Sequence, residues 1–135
     1  MGLRLTLKPG ERVILNGCIV RNAGRGRMDL EVENRSDVLR AEEIINEAEA
    51  RLPVRAVAHA IQHALACRDR RDELVPHILQ GLERIEAALD PVMSPSLRDV
   101  RDSVGTGDFY AALRKLGPAL DRERRLLGAG GRRPS

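Results

Sequence analysis

The stretch LTLKPGERVILNGCIVRN, Leu5 to Asn22, decides how the first third of the chain folds. Just upstream the pattern already starts: Leu3, Leu5 and Leu7 alternate with Arg4, Thr6 and Lys8. Period two marks a strand with one buried face. Pro9-Gly10 then supplies a turn, because proline presets φ and glycine accepts the positive φ of a type II turn. Glu11 to Leu15 is rich in β-formers, Asn16-Gly17 is a two-residue hairpin signal, and Cys18 to Arg21 returns. The segment is expected to fold as a meander. Its second turn pairs Leu15 with Cys18, Ile14 with Ile19 and Arg12 with Arg21. Cys18 then shares the apolar side with Val13, Leu15 and Val20, as a small core residue.

Ala23-Gly24-Arg25-Gly26 reads as a connection. Met28, Leu30 and Val32 alternate with Asp29, Glu31 and Glu33, a fourth strand, and Val38 to Arg40 is a short fifth. Glu42 to Glu49 is expected as a short acidic helix. Pro53 suits a helix start, and Val54, Val57, Ala58, Ile61, Ala64 and Leu65 follow at helical spacing. Val75, Ile78, Leu82, Ile85 and Leu89 form a three-four stripe on a second helix, which Asp90-Pro91 ends. Ser94-Pro95 starts a third, with Leu97, Val100 and Val104 inward and Gly105 as its stop. Asp108 caps a fourth carrying Tyr110, Leu113 and Leu116, Gly117-Pro118 interrupts it, and Leu120 to Leu127 resumes as helix. Strands first and helices second predict an α+β protein: a small N-terminal antiparallel sheet followed by a C-terminal helical bundle. The expected division is a β lobe over 1–50, a helical lobe over 51–127 and a flexible Gly/Arg tail over 128–135.

Charge is uneven. Residues 1–27 carry six basic residues against Glu11 alone, whereas residues 28–50 carry two arginines against eight acids. Such a reversal is either self-complementary or presents one face to a polyanion. Phe109 and Tyr110 are the only aromatic residues besides histidine, so base stacking on aromatic platforms has almost nothing to use. Two cysteines make no disulfide framework. No apolar run resembles a signal peptide or a membrane span, so a cytoplasmic protein is expected.

Catalytic signatures are missing: there is no G-x-S-x-G, Walker A, C-x-x-C or H-E-x-x-H. His59 and His63 lie four apart, a spacing that could serve zinc, but no third ligand is assigned and half-buried helix histidines explain them as well. The expectation is a non-enzyme with no catalytic residue, no metal and no cofactor.

Two features admit both a structural and a binding reading. Arg12 and Arg21 face each other, which costs a strand pair up to about 1 kcal/mol. Either acid from Asp29, Glu31 and Glu33 neutralises them, or a phosphate backbone lies across them. In the second case the candidate contacts are Arg4, Lys8, Arg12, Arg21, Arg25, Arg27 and Arg40. The stripe Val75, Ile78, Leu82, Ile85 and Leu89 either packs against this chain's own helices or forms a partner or dimer surface.

The segments GLRLTLKPGERVILNGCIVRN, MDLEVENRSDVLRAEEI and GDFYAALRKL resemble FlbT, a family of regulators of flagellin synthesis, over almost the whole chain. The resemblance implies binding to the 5′ untranslated region of flagellin mRNA and promotion of its decay. The implied partner is the flagellin mRNA leader, with flagellar proteins or flagellin and a second copy of the chain as further candidates, and no membrane. LTLKPGERVILNG and VLRAEEI are also similar to the first and last strands of the CsrA family of translational regulators. There the first strand reads Leu-Thr-Arg-Arg-x-Gly-Glu; here Leu7 and Lys8 stand at the two basic positions, and Ala41 separates Val38-Leu39-Arg40 from Glu42-Glu43. That second likeness implies RNA held along strand edges. The alternative function is a protein-interaction adaptor in flagellum biogenesis that touches mRNA only indirectly, through the helical stripe.

Overall fold

The computed structural model describes residues 2–88 and 94–130. Strands β1 (Leu3–Leu7), β2 (Arg12–Leu15), β3 (Cys18–Arg21), β4 (Met28–Val32) and β5 (Val38–Leu39) come first. Helices α1 (Pro53–Ala66), α2 (Arg71–Ala88), α3 (Ser94–Gly105), α4 (Phe109–Lys115) and α5 (Gly117–Gly130) follow. The architecture is α+β, with the strands antiparallel and leading. Among the described residues no helix is long and apolar enough to cross a membrane.

The opening segment is not a meander within one sheet. β1 pairs with β4, Leu3 opposite Val32 and Leu7 opposite Met28, while a separate sheet runs β3-β2-β5. The Pro9-Gly10 turn forms as expected, with Gly10 at φ 83 and the Glu11 N–H donating to the Lys8 carbonyl. It carries the chain from one sheet to the other instead of closing a hairpin. The second turn does close one: Asn16 and Gly17 both have positive φ, and Leu15↔Cys18, Ile14↔Ile19 and Arg12↔Arg21 are in register. Both positive values are what a type I′ turn requires, and Asn-Gly supplies them at little cost.

β2 lies between two cores. Val13, 1% exposed, faces Leu5 and Leu7 of the other sheet. Ile14, 2% exposed, joins Leu39 in the helical core. Successive side chains point to opposite faces, so an unbroken Val13-Ile14-Leu15 run belongs to a strand covered on both sides. The β lobe and the helices therefore share a core through β2 and β5. Cys18, expected in that core, is exposed. It sits at the turn end of edge strand β3.

Residues 42–49 do not form a helix. Two single 3₁₀ turns, Ala41–Glu43 and Glu49–Arg51, flank a link that is extended at Ile44 and turns at 47–48. The reason is local competition for backbone groups. The Arg40 N–H donates to Glu43 Oε1 (2.9 Å) and the Glu49 N–H to Asn46 Oδ1 (3.0 Å). Gln62 of α1 holds Ile45 by both its N–H (2.8 Å) and its carbonyl (3.0 Å), which lets Ile44 and Ile45 pack on the helical core.

α1 is the central helix. Gly81 of α2 permits close approach, since a Cβ there would stand 2.6 Å from Val57 Cγ2. At its N-terminus the buried Glu123 carboxylate of α5 accepts from the Val54 N–H (2.7 Å), the Arg55 N–H (3.2 Å) and Arg55 Nη1 (2.7 Å). A carboxylate against orphan helix amides is favourable on both hydrogen-bonding and dipole grounds. Ile78, Leu82 and Ile85 are 0–1% exposed within the same core, and Val75 is half-buried against it. The stripe thus packs on this chain's own helices, and these positions do not present a partner surface; Leu89, like Asp90-Pro91, lies outside the described residues. α5 begins at Gly117 and reaches Gly130, three residues into the expected tail. Pro118 falls in its first turn, where a missing N–H costs nothing.

Candidate nucleic-acid interface

Asn22 organises the basic end of the β lobe. It is 1% exposed, and every polar group it has is used. Its N–H donates to the Glu11 carbonyl (2.9 Å), and its carbonyl accepts from the Gly10 N–H (2.8 Å). Nδ2 donates to the carbonyls of Leu7 and Gly26, both at 2.9 Å, and Oδ1 accepts from the Gly24 N–H at 2.9 Å. Its side chain thus ties the end of β1 to the loop before β4, and its backbone ties the end of β3 to the Pro9-Gly10 turn and to the start of β2. Lys8, Arg12, Arg21, Arg25 and Arg27 all lie on or next to those five pieces of backbone, and all five are exposed. Among the described residues none of the five side chains takes part in an ion pair or hydrogen bond. Glu11, the one acid nearby in sequence, accepts from the Lys8 N–H (2.8 Å), which closes the turn.

The Arg12–Arg21 pairing is as expected, but its neutralisation is not. β4 is bound to β1, so Glu31 stands opposite Arg4 and Asp29 opposite Thr6, whose hydroxyl donates to Asp29 Oδ1 at 2.8 Å. Asp29, Glu31 and Glu33 are thereby removed from the Arg12–Arg21 pair. The hairpin closes at Leu15–Cys18, so alternation makes Arg12–Arg21 a non-hydrogen-bonded pair, in which side chains lie closer. The seven candidate cations consequently divide. Five gather at the Asn22 end. Arg4 has an acid across the ladder, and Arg40 follows β5 beside Glu42 and Glu43. Its neighbourhood still meets β1, since Leu5, Thr6, Leu7, Arg40, Ala41 and Glu42 line a cavity of about 290 Å³ together with Val13.

Arg12 also lines a second cavity, of about 400 Å³, between the hairpin and α1. Its other walls include Ile14, Ile19, Ile44, Ile45, Asn46, Glu47, His59 and His63. The two histidines are half-buried, with ring centroids 6.3 Å apart and planes inclined at 61°. Among the described residues no group of three or more His, Cys, Asp or Glu side chains is placed to hold a metal.

The Asn16-Gly17 turn is pinned to the helices. The Gly17 N–H donates to Tyr110 Oη (2.9 Å), and a Cβ at Gly17 would stand 2.9 Å from the Leu65 carbonyl oxygen. Asn16 Oδ1 accepts from the Asp37 N–H at 2.8 Å. Burial pushes the Tyr110 phenol above its ordinary pKa; the Gly17 N–H offsets part of this, and the Asp37 charge adds to it. Arg71 stacks 4.7 Å from the centroid of the Phe109 ring. Tyr110, 8% exposed, is thus spent on joining the lobes, and Phe109, 3% exposed, on the helical core. Asn22, Glu123 and Gln62 are the residues that reading the sequence missed. Asn22 had one usable signal, a lone amide between a strand and a glycine-rich loop, where Asn side chains bind nearby backbone.

A family model described as "Flagellar protein FlbT" matches residues 3–127. A "Flagellum biosynthesis repressor protein FlbT" of Caulobacter vibrioides (strain ATCC 19089 / CIP 103742 / CB 15) is 40% identical over 129 residues, covering 95% of this chain and 91% of that protein. A "Probable flagellum biosynthesis repressor protein FlbT" of Caulobacter sp. (strain K31) is 44% identical over 57 residues, 42% of this chain and 43% of that protein. One of the same name from Rhodopseudomonas palustris (strain TIE-1) is 25% identical over 130 residues, 94% and 98% of the two chains. No solved structure matches.

Proposed function

This chain belongs to the FlbT family of flagellar proteins, and on that premise we propose that it represses flagellum biosynthesis post-transcriptionally. It binds the 5′ untranslated region of flagellin mRNA through the basic end of its β lobe and promotes decay of the message. The observation that carries the RNA contact is the cluster of Lys8, Arg12, Arg21, Arg25 and Arg27, exposed, gathered by Asn22 and without an ion pair among the described residues. Two arginines held side by side with no ion pair among the described residues favour a ligand that supplies negative charge, and guanidinium forks suit phosphate. The protein is not an enzyme on this reading. Decay follows from a cellular nuclease or from blocked translation, in the cytoplasm where the message is.

A gel shift with a flagellin leader RNA tests it. Arg12→Glu/Arg21→Glu should abolish the shift at moderate salt, and native affinity should fall steeply as salt rises. Equal affinity in the double variant would remove the hairpin from the interface. No affinity for RNA even at low salt, together with co-purification of a flagellar protein, would replace this reading with the adaptor function. That alternative loses the contacts expected for it at Ile78, Leu82 and Ile85, which are core residues.

A further inference from the structure

We propose that the cavity between the β2–β3 hairpin and α1 is a pocket for one unpaired nucleobase, so that the RNA this protein holds is single-stranded at that point. The inference rests on the RNA-binding reading above and adds a site to it. Arg12 belongs to both features: it stands in the basic cluster and lines the cavity. A backbone phosphate held by Arg12 and Arg21 leaves its neighbouring base at the cavity mouth. The cavity, about 400 Å³, is of the size that ligand pockets have.

Its lining matches the chemistry of a base and not that of a phosphate. Unstacked bases are held by stacking on aromatic rings, including histidine, or on guanidinium planes. Phe109 and Tyr110 are buried, so His59 and His63 are the aromatic faces at hand, and they lie on the cavity wall. Their 61° inclination lets one ring lie flat on a base while the other meets its edge. Ile19, 52% exposed, supplies an apolar wall. Glu47 and Asn46 line it too: a carboxylate repels phosphate and accepts from base amino groups. Positive charge at Arg12 and negative charge at Glu47 thus orient a nucleotide, backbone outward and base inward. A paired A-form helix cannot offer a base face to such a pocket.

The test uses fluorescence anisotropy with the full chain and a short labelled RNA, single-stranded or annealed to its complement, across a salt series. The single strand should bind at least about tenfold more tightly than the duplex. His59→Ala/His63→Ala should weaken single-strand binding by about five- to a hundredfold with an unchanged salt slope, because stacking carries no counterion release. His59→Phe/His63→Phe, which keeps flat rings, should restore affinity, and a urea midpoint unchanged in the alanine variant separates stacking from a merely structural role. Duplex binding as tight as the single strand, or full affinity in the alanine variant, would overturn the pocket while leaving RNA binding intact. Loss of the salt-dependent affinity altogether, in the native chain, would sink the RNA reading itself.

Discussion

Replacing Asn22 with aspartate changes one NH₂ group to one oxygen and should unfasten the basic end. Nδ2 now donates to two carbonyls, those of Leu7 and Gly26, each at 2.9 Å. A carboxylate oxygen in its place faces two acceptors at hydrogen-bond distance and can donate to neither. Two bonds at about 1 kcal/mol each are lost, and the buried Leu7 carbonyl loses a partner at a further cost of about 1–3 kcal/mol. The expected total is about 3–5 kcal/mol, a large part of the roughly 5–15 kcal/mol by which a domain is stable. Asn22→Ala, which loses three bonds but places no like dipoles together, should cost about 3 kcal/mol. The chain has no tryptophan, so urea unfolding is best followed by circular dichroism. With a slope of about 1.5 kcal/mol per molar urea, Asn22→Asp should lower the midpoint by about 2–3 M. If the fold survives at low urea, the slope of log affinity against log salt should shrink from about −3.5, the value for five phosphate contacts on a single strand, because the five cations no longer act together. A midpoint shift under about 0.5 M would refute the view that Asn22 clamps this end.

Glu123→Ala should cost about 3–5 kcal/mol, since it strands a buried arginine and two helix amides; Arg55→Met/Glu123→Leu should recover part of that loss in the same urea assay. Leu82→Ala should cost about 2–5 kcal/mol and leave sedimentation unchanged, the behaviour of a core residue and not of a docking surface. Gly17→Ala should destabilise by about 1–2 kcal/mol or more, because alanine is strained at φ 84 and its methyl meets the Leu65 carbonyl. Tyr110 has a folded-state pKa above its unfolded value of 10.0, so its contribution is complete below that pH and is lost as pH rises through the higher folded value. Native protein should therefore lose urea resistance above about pH 10 more steeply than Tyr110→Phe; parallel curves would dismiss the tyrosine as the cause.

Local chemistry was readable. Asn16-Gly17 accepts two positive φ values, which sets the hairpin register and places Arg12 opposite Arg21. Pro53, Asp108 and the helical spacing of apolar residues placed the helices, because each signal acts within a few residues. The acidic run at 42–49 misled, since helix propensity there loses to side chains that bind their own backbone and to Gln62. Cys18 misled because alternation tells which side a residue faces, not whether anything covers that side.

By itself, then, the sequence determined an α+β chain with a fixed hairpin, a basic start and an aliphatic helical core. Only the tertiary structure decided that β4 crosses to β1 and takes its acids away from Arg12 and Arg21. It alone decided that Asn22 gathers five cations, and that the base-sized cavity opens beside one of them. Those outcomes depend on pairings between segments far apart in the chain, and the free energy that selects among them is burial shared by the whole core. A turn signal carries its own answer in two residues. The partner of a strand, or of Glu123 on an amide 69 residues away, is settled only when both surfaces leave water together.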